Sequence, residues 1–240
     1  MTGPGEGVEE RRAELSRNLD RVRGRIADAC ARAGRPADEV TLTVVTKFFP
    51  ASDVRLLAGL GVRHVGENRH QEAEAKAAAC VDLDLVWHFI GGLQSNKAAA
   101  VTSYASVVES VDRAKLLRGL SRGAHEHDRA IDVLVQVSLD EAGSADRSGA
   151  PPEAVPELAA AVAQADGLRL RGVMAVAPLG RDPLRAFAKL TAVAEEVRHV
   201  DPAATWVSAG MSNDLEAALE SGATHVRIGS AVLGARPARG

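Results

Sequence analysis

The chain has 240 residues, 46% of them hydrophobic and 25% charged. That composition excludes disordered and collagen-like classes and leaves enough apolar material for a sizeable core. Twenty-nine basic against thirty-two acidic side chains give a net charge of −3, so no global field draws the protein onto nucleic acid or an anionic membrane. Aromatic residues make up only 3%, too few for a base-stacking platform.

The first residues, Met1 to Glu10, are Gly- and Glu-rich rather than basic-then-apolar, and no run of about 18 apolar residues occurs. A chain with no signal peptide and no membrane span is therefore expected. Cys30 and Cys80 lack metal-ligand spacing and suit buried thiols in a reducing, cytoplasmic setting. Residues 1–8 read as a flexible tail and 9–240 as one domain, with a monomer as the expected assembly.

Leu15, Leu19, Val22 and Ile26 recur at helical spacing among charged residues, and Gly34 with Pro36 stops the segment. This predicts an amphipathic leading helix. From Val40 onward, short β-branched runs alternate with Ala-, Leu- and Glu-rich stretches. Strands are predicted at Thr41–Thr46, His64–Gly66, Val86–Ile90, Ser106–Glu109, Asp132–Ser138, Leu170–Ala175, Thr205–Ser208 and His225–Ile228. Helices are predicted to begin near Ser52, Asn68, Gln94, Asp112, Pro152, Pro183 and Asn213. Eight strands, each feeding a helix, point to a single (β/α)8 TIM barrel with an extra N-terminal helix, because parallel strands need crossover helices and closure removes sheet edges. A doubly wound open sheet fits less well, since the first strand is followed by Lys47-Phe48-Phe49-Pro50 and not by a Gly-x-Gly-x-x-Gly turn. The Gly-, Ser- and Pro-containing stretch from Asp140 to Pro152 reads as a mobile loop on the functional face.

In a barrel, side chains at the C-terminal strand ends converge on one mouth. Lys47 stands at such an end and is one of only five lysines against twenty-four arginines. Partial desolvation there disfavours the ammonium and frees the amine to react with a carbonyl; a solvated lysine at a strand end is the competing reading. Ser208, Gly210, Met211, Ser212 and Asn213 follow strand seven, and Arg227, Gly229 and Ser230 end strand eight. Loops at these two places form the usual phosphate cradle of the fold, with Ser212 or Asn213 as helix cap; simple capping is the competing reading. Gly66-Glu67-Asn68 follows strand two and reads in isolation as a turn and cap. His88, between Trp87 and Phe89, reads as a satisfied core histidine, and His125 and His127 as solvated surface. No set of residues has metal-ligand spacing, and Ser208 and Ser212 have no neighbouring histidine base.

Taken together, Val45-Thr46-Lys47, Gly66-Glu67-Asn68, Trp87-His88-Phe89-Ile90-Gly91 with Gln94-Ser95-Asn96-Lys97, Leu170-Arg171-Gly172-Val173-Met174, Gly210-Met211-Ser212 and Val226-Arg227-Ile228-Gly229-Ser230 resemble the pyridoxal-phosphate homeostasis proteins, the YggS/PROSC family. The likeness runs from about residue 10 to the C-terminus.

It implies a barrel of the alanine-racemase N-terminal-domain type, without that enzyme's second domain, carrying pyridoxal 5'-phosphate (PLP) as a Schiff base on Lys47. Ser212, Gly229 and Ser230 match the phosphate positions, with Ser208, Gly210 and Met211 at the same end. Asn68 matches a residue near the ring, and Arg227 one directed at the pyridine nitrogen, a phosphate contact being the alternative. An arginine there leaves PLP a poor electron sink. The resemblance thus implies a non-catalytic role in PLP homeostasis and delivery to PLP-requiring apo-enzymes, with a racemase using His88 or water as second base as the alternative. A class I aldolase trapping a phosphorylated carbonyl on Lys47 is a more distant alternative. Two departures stand out. Phe48 and Phe49 replace a more polar pair and imply a drier mouth, and Arg147-Ser148-Gly149 stands where many members carry a lysine.

Overall fold

The computed structural model describes residues 4–140 and 148–236. Eight parallel strands close into a barrel in sequence order: β1 (Thr41–Val45), β2 (His64–Glu67), β3 (Val86–Phe89), β4 (Val107–Val111), β5 (Ile131–Gln136), β6 (Leu168–Met174), β7 (Trp206–Ser208) and β8 (His225–Ile228). Each run predicted as a strand forms one, with ends shifted by a residue or two. Closure comes from β1 against β8, which sets Thr43 beside Arg227 and Val44 beside Ile228.

The helices are α1 (Pro4–Arg32), α2 (Ala51–Gly59), α3 (His70–Ala79), α4 (Ala98–Val101), α5 (Leu117–Glu126), α6 (Val155–Ala163), α7 (Pro183–Val200), α8 (Leu215–Glu220) and α9 (Ser230–Leu233). The leading helix starts at Pro4, inside the stretch expected as a tail, and buries Leu15, Leu19, Val22 and Ile26. That stripe lies along α8 and α9, tied by Asn18 Nδ2 donating to the Val232 carbonyl at 2.9 Å. The helices expected near Gln94, Asp112 and Pro152 open instead as single 3₁₀ turns before continuing as α4, α5 and α6. Among the described residues, no helix is long and apolar enough to cross a membrane. Both cysteines are free and buried.

Strand alternation sorts side chains into two sets. Val44, Val65, Trp87, Phe89, Val108, Val133, Val207, Val226 and Ile228 face the helices in one continuous core. The opposite parity faces the lumen, where barrels of this type stack apolar layers. Here Val107, Leu134 and Met174 form a small buried apolar cluster with Val86, Val176 and Trp206 packed against it, and His64, His88, Glu109, Ser208, His225 and Arg227 share the interior parity.

One irregularity keeps this phase correct. Val133 pairs with Leu170 but Leu134 pairs with Gly172, so Arg171 is an extra residue in β6. Leu168 and Leu170 consequently join the helix-facing core while Met174 joins the lumen cluster. Gly172 has φ +147° there, and a Cβ on it would lie 1.9 Å from the Trp206 carbonyl oxygen. Gly172→Ala is expected to lower unfolding stability by roughly 3 kcal/mol or more, measured as the shift of the urea midpoint; an unchanged midpoint would show that β6 can shed its bulge.

Candidate functional site

A cavity of about 630 Å³ opens at the C-terminal ends of the strands. Of the nine site residues expected from the sequence, seven line it: Lys47, Asn68, Met211, Ser212, Arg227, Gly229 and Ser230. Ser208 and Gly210 do not. Ser208 is fully buried, hydrogen-bonded beneath Arg227. Gly210, at φ +92°, lets the chain pass Ala218, whose Cβ would be 2.7 Å from an added methyl. Arg147 lies outside the described residues.

Lys47 lies two residues beyond the end of β1 and is half-buried. Burial lowers the proton affinity of its amine, Arg236 lowers it further, and Glu67 opposes. The backbone on either side is clamped. Lys76 Nζ, itself buried, donates to the Thr46 carbonyl at 2.8 Å, to Glu67 Oε1 at 2.7 Å and to Glu72 Oε1 at 2.7 Å. Thr46 Oγ1 donates to Glu67 at 2.6 Å, and the Phe48 amide donates to Glu72 at 2.6 Å. Phe48 has φ +72°, a left-handed conformation that costs a bulky residue about 1–3 kcal/mol. The Glu72 contact and the stacking of Arg69 and Arg236 on the Phe48 ring, 5.4 and 4.6 Å from its centroid, hold it there. Asn68 Oδ1 is buried without a hydrogen-bond partner, although its residue lines the cavity. A buried orphan acceptor is costly, and a ligand donor would relieve it.

At the other end, Ser212 Oγ and Ser230 Oγ stand 3.5 Å apart. The cap expected at Ser212 or Asn213 is not formed. The residue preceding α8 is Asp214, whose Oδ1 accepts from the Met211 amide at 2.6 Å and so closes the loop on itself. The loop is also pinned from outside, because Arg25 of α1 donates to the Ser212 carbonyl at 2.9 Å while gripping Glu216 through two nitrogens at 2.7 and 2.9 Å. The leading helix therefore holds the serine pair in place, leaving both hydroxyls at the cavity.

Beneath the floor runs a buried polar chain that sequence reasoning found only in part. Arg227 Nη1 donates to Ser208 Oγ at 2.6 Å and Nη2 to the Ala175 carbonyl at 2.8 Å. Ser208 Oγ donates to Glu109 Oε2 at 2.6 Å, Glu109 Oε1 meets His88 Nδ1 at 2.7 Å, and His88 Nε2 meets His64 Nδ1 at 2.9 Å. Burial opposes the charge on Glu109, but the hydrogen bond from His88, with help from Arg227 and Ser208, overrides it and sets the carboxyl at about 2. Glu109 was missed as a site residue. Its signal is a charged residue of interior parity in the apolar run Val107-Val108-Glu109, the same signal that His88 gives between Trp87 and Phe89.

His88 is a satisfied core histidine, as expected; both its nitrogens are engaged and it lies outside the cavity lining. Tyr104 is buried against His70 and also lies outside the lining. His125 and His127 are exposed. Among the described residues, no group of His, Cys, Asp and Glu could hold a metal ion.

Residues 17–237 match the family described as alanine racemase, N-terminal domain. The pyridoxal phosphate homeostasis protein of Mycobacterium bovis is 42% identical, covering 96% of each chain, and that of Escherichia coli is 37% identical over 93% of this chain and 97% of its own. The solved structure of PipY from Synechococcus elongatus, with PLP bound, superposes with a TM-score of 0.74 at 36% identity, covering 87% of this chain and all of PipY. Fold and site thus define an alanine-racemase-type barrel domain. Within that class, the chain belongs to the pyridoxal phosphate homeostasis protein family.

The lumen groups make stability depend on pH. Burial lowers His64 to about 4 and, against the opposing pull of Glu109, lowers His225 to about 3, both from 6.5; Glu109 falls from 4.5 to about 2. All three bind a proton more weakly folded than unfolded, so their contribution is complete above 6.5. It is lost first through the histidines as pH falls from 6.5 towards 3, then also through Glu109 between 4.5 and 2. Urea unfolding free energy is expected to decline steadily from pH 7 to pH 4, and His225→Gln to flatten that slope. A variant slope equal to that of the parent would show that His225 does not carry it.

Proposed function

We propose that this protein binds pyridoxal 5'-phosphate as a Schiff base on Lys47, keeps it in the cytoplasm as a monomer, and releases it to PLP-requiring apo-enzymes without turnover of its own. The observation that carries the reading is the Lys47 amine, half-buried and weakened as a base, in a cavity whose far end presents two serine hydroxyls. Bound there, the cofactor supplies an aldehyde that condenses with a primary amine, and a phosphate that anchors it.

The residues present fit that group. Ser212 and Ser230 would donate to the phosphate, and the orphaned Asn68 Oδ1 would accept from a hydroxyl on the ring. Arg227 belongs to β8, yet its head reaches across to Ser208 at the end of β7 and to the carbonyl of Ala175 beyond β6, which favours the ring over the phosphate as its target. A guanidinium donates a hydrogen bond without giving up its proton, so the ring nitrogen stays unprotonated and carbanion chemistry is weakly supported. The cavity carboxylate, Asp214, is engaged by the Met211 amide, and neither His88 nor Tyr104 reaches the lining. These placements favour the carrier over the racemase reading. The relatives named as homeostasis proteins and the PLP-bound PipY structure support the same cofactor.

Adding PLP to the purified protein is expected to produce a visible absorption band and, after borohydride, one adduct on Lys47, both abolished by Lys47→Ala. The double variant Ser212→Ala, Ser230→Ala is expected to weaken binding at least about tenfold, through two lost hydrogen bonds to an anion. A colourless protein with no adduct would sink the proposal. Exchange of an amino acid's α-proton in deuterated water that depends on Lys47 would favour the racemase instead.

A further inference from the structure

Arg227 is the buried cation of the cavity floor, and its orientation is decided by a residue that never touches the cavity. Glu109 is 1% exposed and lies outside the lining. An ionised carboxylate only accepts hydrogen bonds, so Ser208, which has a single proton, must spend it on Glu109 Oε2 at 2.6 Å. The Ser208 oxygen is then left with lone pairs alone for Arg227, and it accepts from Nη1 at 2.6 Å. A guanidinium cannot accept, so Ser208 would accept from Arg227 with any partner at 109; what a neutral residue there would remove is the charge that holds the Ser208 proton on one side. Glu109 Oε2 also lies 3.7 Å from Arg227 Nη1, so one carboxylate orders the hydroxyl and balances the guanidinium. With Nη2 held by the Ala175 carbonyl at 2.8 Å, two contacts fix the plane of a rigid fork.

The other carboxylate oxygen is engaged as well. Glu109 Oε1 meets His88 Nδ1 at 2.7 Å, and His88 in turn meets His64 at 2.9 Å. His225 also faces Glu109 and Arg227 in the lumen, held at its Nδ1 by Thr224 at 2.8 Å, and Asp214 acts on Arg227 as a second, smaller counter-charge. His88 thus braces Glu109 through Oε1 and leaves Oε2 to Ser208 and Arg227.

We infer that Glu109 is a positioning residue for the cofactor: through Ser208 it fixes the guanidinium of Arg227 against the bound ring, and its charge offsets that of Arg227 near the Lys47 linkage. This rests on the PLP reading above. Without the carboxylate, Arg227 would keep the Ala175 carbonyl and the pull of Asp214 but lose its main counter-charge and the ordered contact through Ser208, and its less balanced positive charge would disfavour protonation of the cofactor-bearing nitrogen on Lys47, which already faces Arg236 and Glu67.

The test uses the full chain loaded with PLP, comparing the parent with Glu109→Gln, Ser208→Ala and Asp132→Asn. The last removes a buried charge at the opposite end of the barrel, where Arg169 and Arg171 bind it. The readouts are the pH midpoint of the absorption band, the rate of cofactor release, and borohydride trapping on Lys47. Glu109→Gln is expected to keep the trapped adduct, to lower the proton affinity at the midpoint about tenfold, and to speed release several-fold. Ser208→Ala is expected to speed release similarly with a smaller midpoint change, because the charge remains. Asp132→Asn is expected to match the parent in both. If Glu109→Gln shows the parent's midpoint and release rate, or if Asp132→Asn moves them equally, the inference fails. Should Glu109→Gln not fold, parent-like release in Ser208→Ala overturns it alone. Absence of any adduct in the parent would instead remove the PLP reading, which separates the two failures.

Discussion

Closure of the sheet between β1 and β8 is the constraint on which the site depends. It brings the start of the barrel to its end, so that Lys47, two residues past the first strand, shares a cavity with Arg227 of the last strand and with Gly229 and Ser230 just beyond it. A parallel barrel gathers all its strand ends on one rim, and any residue type placed there is presented to the same space. The leading helix reinforces this closure. It packs on α8 and α9 and reaches with Arg25 to the loop that carries Ser212.

Two polar networks hold the reactive end of the cavity, and they work differently. Around Lys47 the contacts are to backbone: Lys76 and Glu72 grip the Thr46 carbonyl and the Phe48 amide, keeping the chain in a left-handed turn that Phe48 would not otherwise adopt. The cost of that turn is local, and the ion pairs that offset it come from α3. Around Arg227, apart from the Ala175 carbonyl, the contacts run side chain to side chain through the lumen, where a low dielectric makes each satisfied hydrogen bond strong and each missing one expensive. Replacing part of the usual apolar filling by Glu109, Ser208 and three histidines gives up packing in the barrel centre, and the arrangement fixes one cation at the floor of the cavity.

Much of the architecture was legible in the chain. The alternation of short β-branched runs with Ala- and Leu-rich stretches located eight strands, and the helical spacing of Leu15, Leu19, Val22 and Ile26 located the leading helix. Both signals are local and rest on burial of a single face. Helix beginnings were less legible near Gln94, Asp112 and Pro152, because a 3₁₀ turn and an α-helical turn draw on the same residues. Seven of the nine expected site residues line one cavity. The misplacement of Ser208 and Gly210 is instructive: Ser208 ends β7 facing the lumen but is covered by Arg227, and Gly210 is where the chain passes close to Ala218.

The amino-acid sequence by itself determined the barrel, its strand order and the short list of groups at its mouth, because periodicity and residue type act over a few neighbouring positions. Only the tertiary structure decided which of those groups meet. The Phe48 turn, the Lys76 grip on Thr46, the orphaned Asn68 oxygen and the line from Arg227 to Glu109 join residues far apart in the chain. Which atoms they pair is set by closure, register and the β6 bulge, none of which leaves a mark on any single segment.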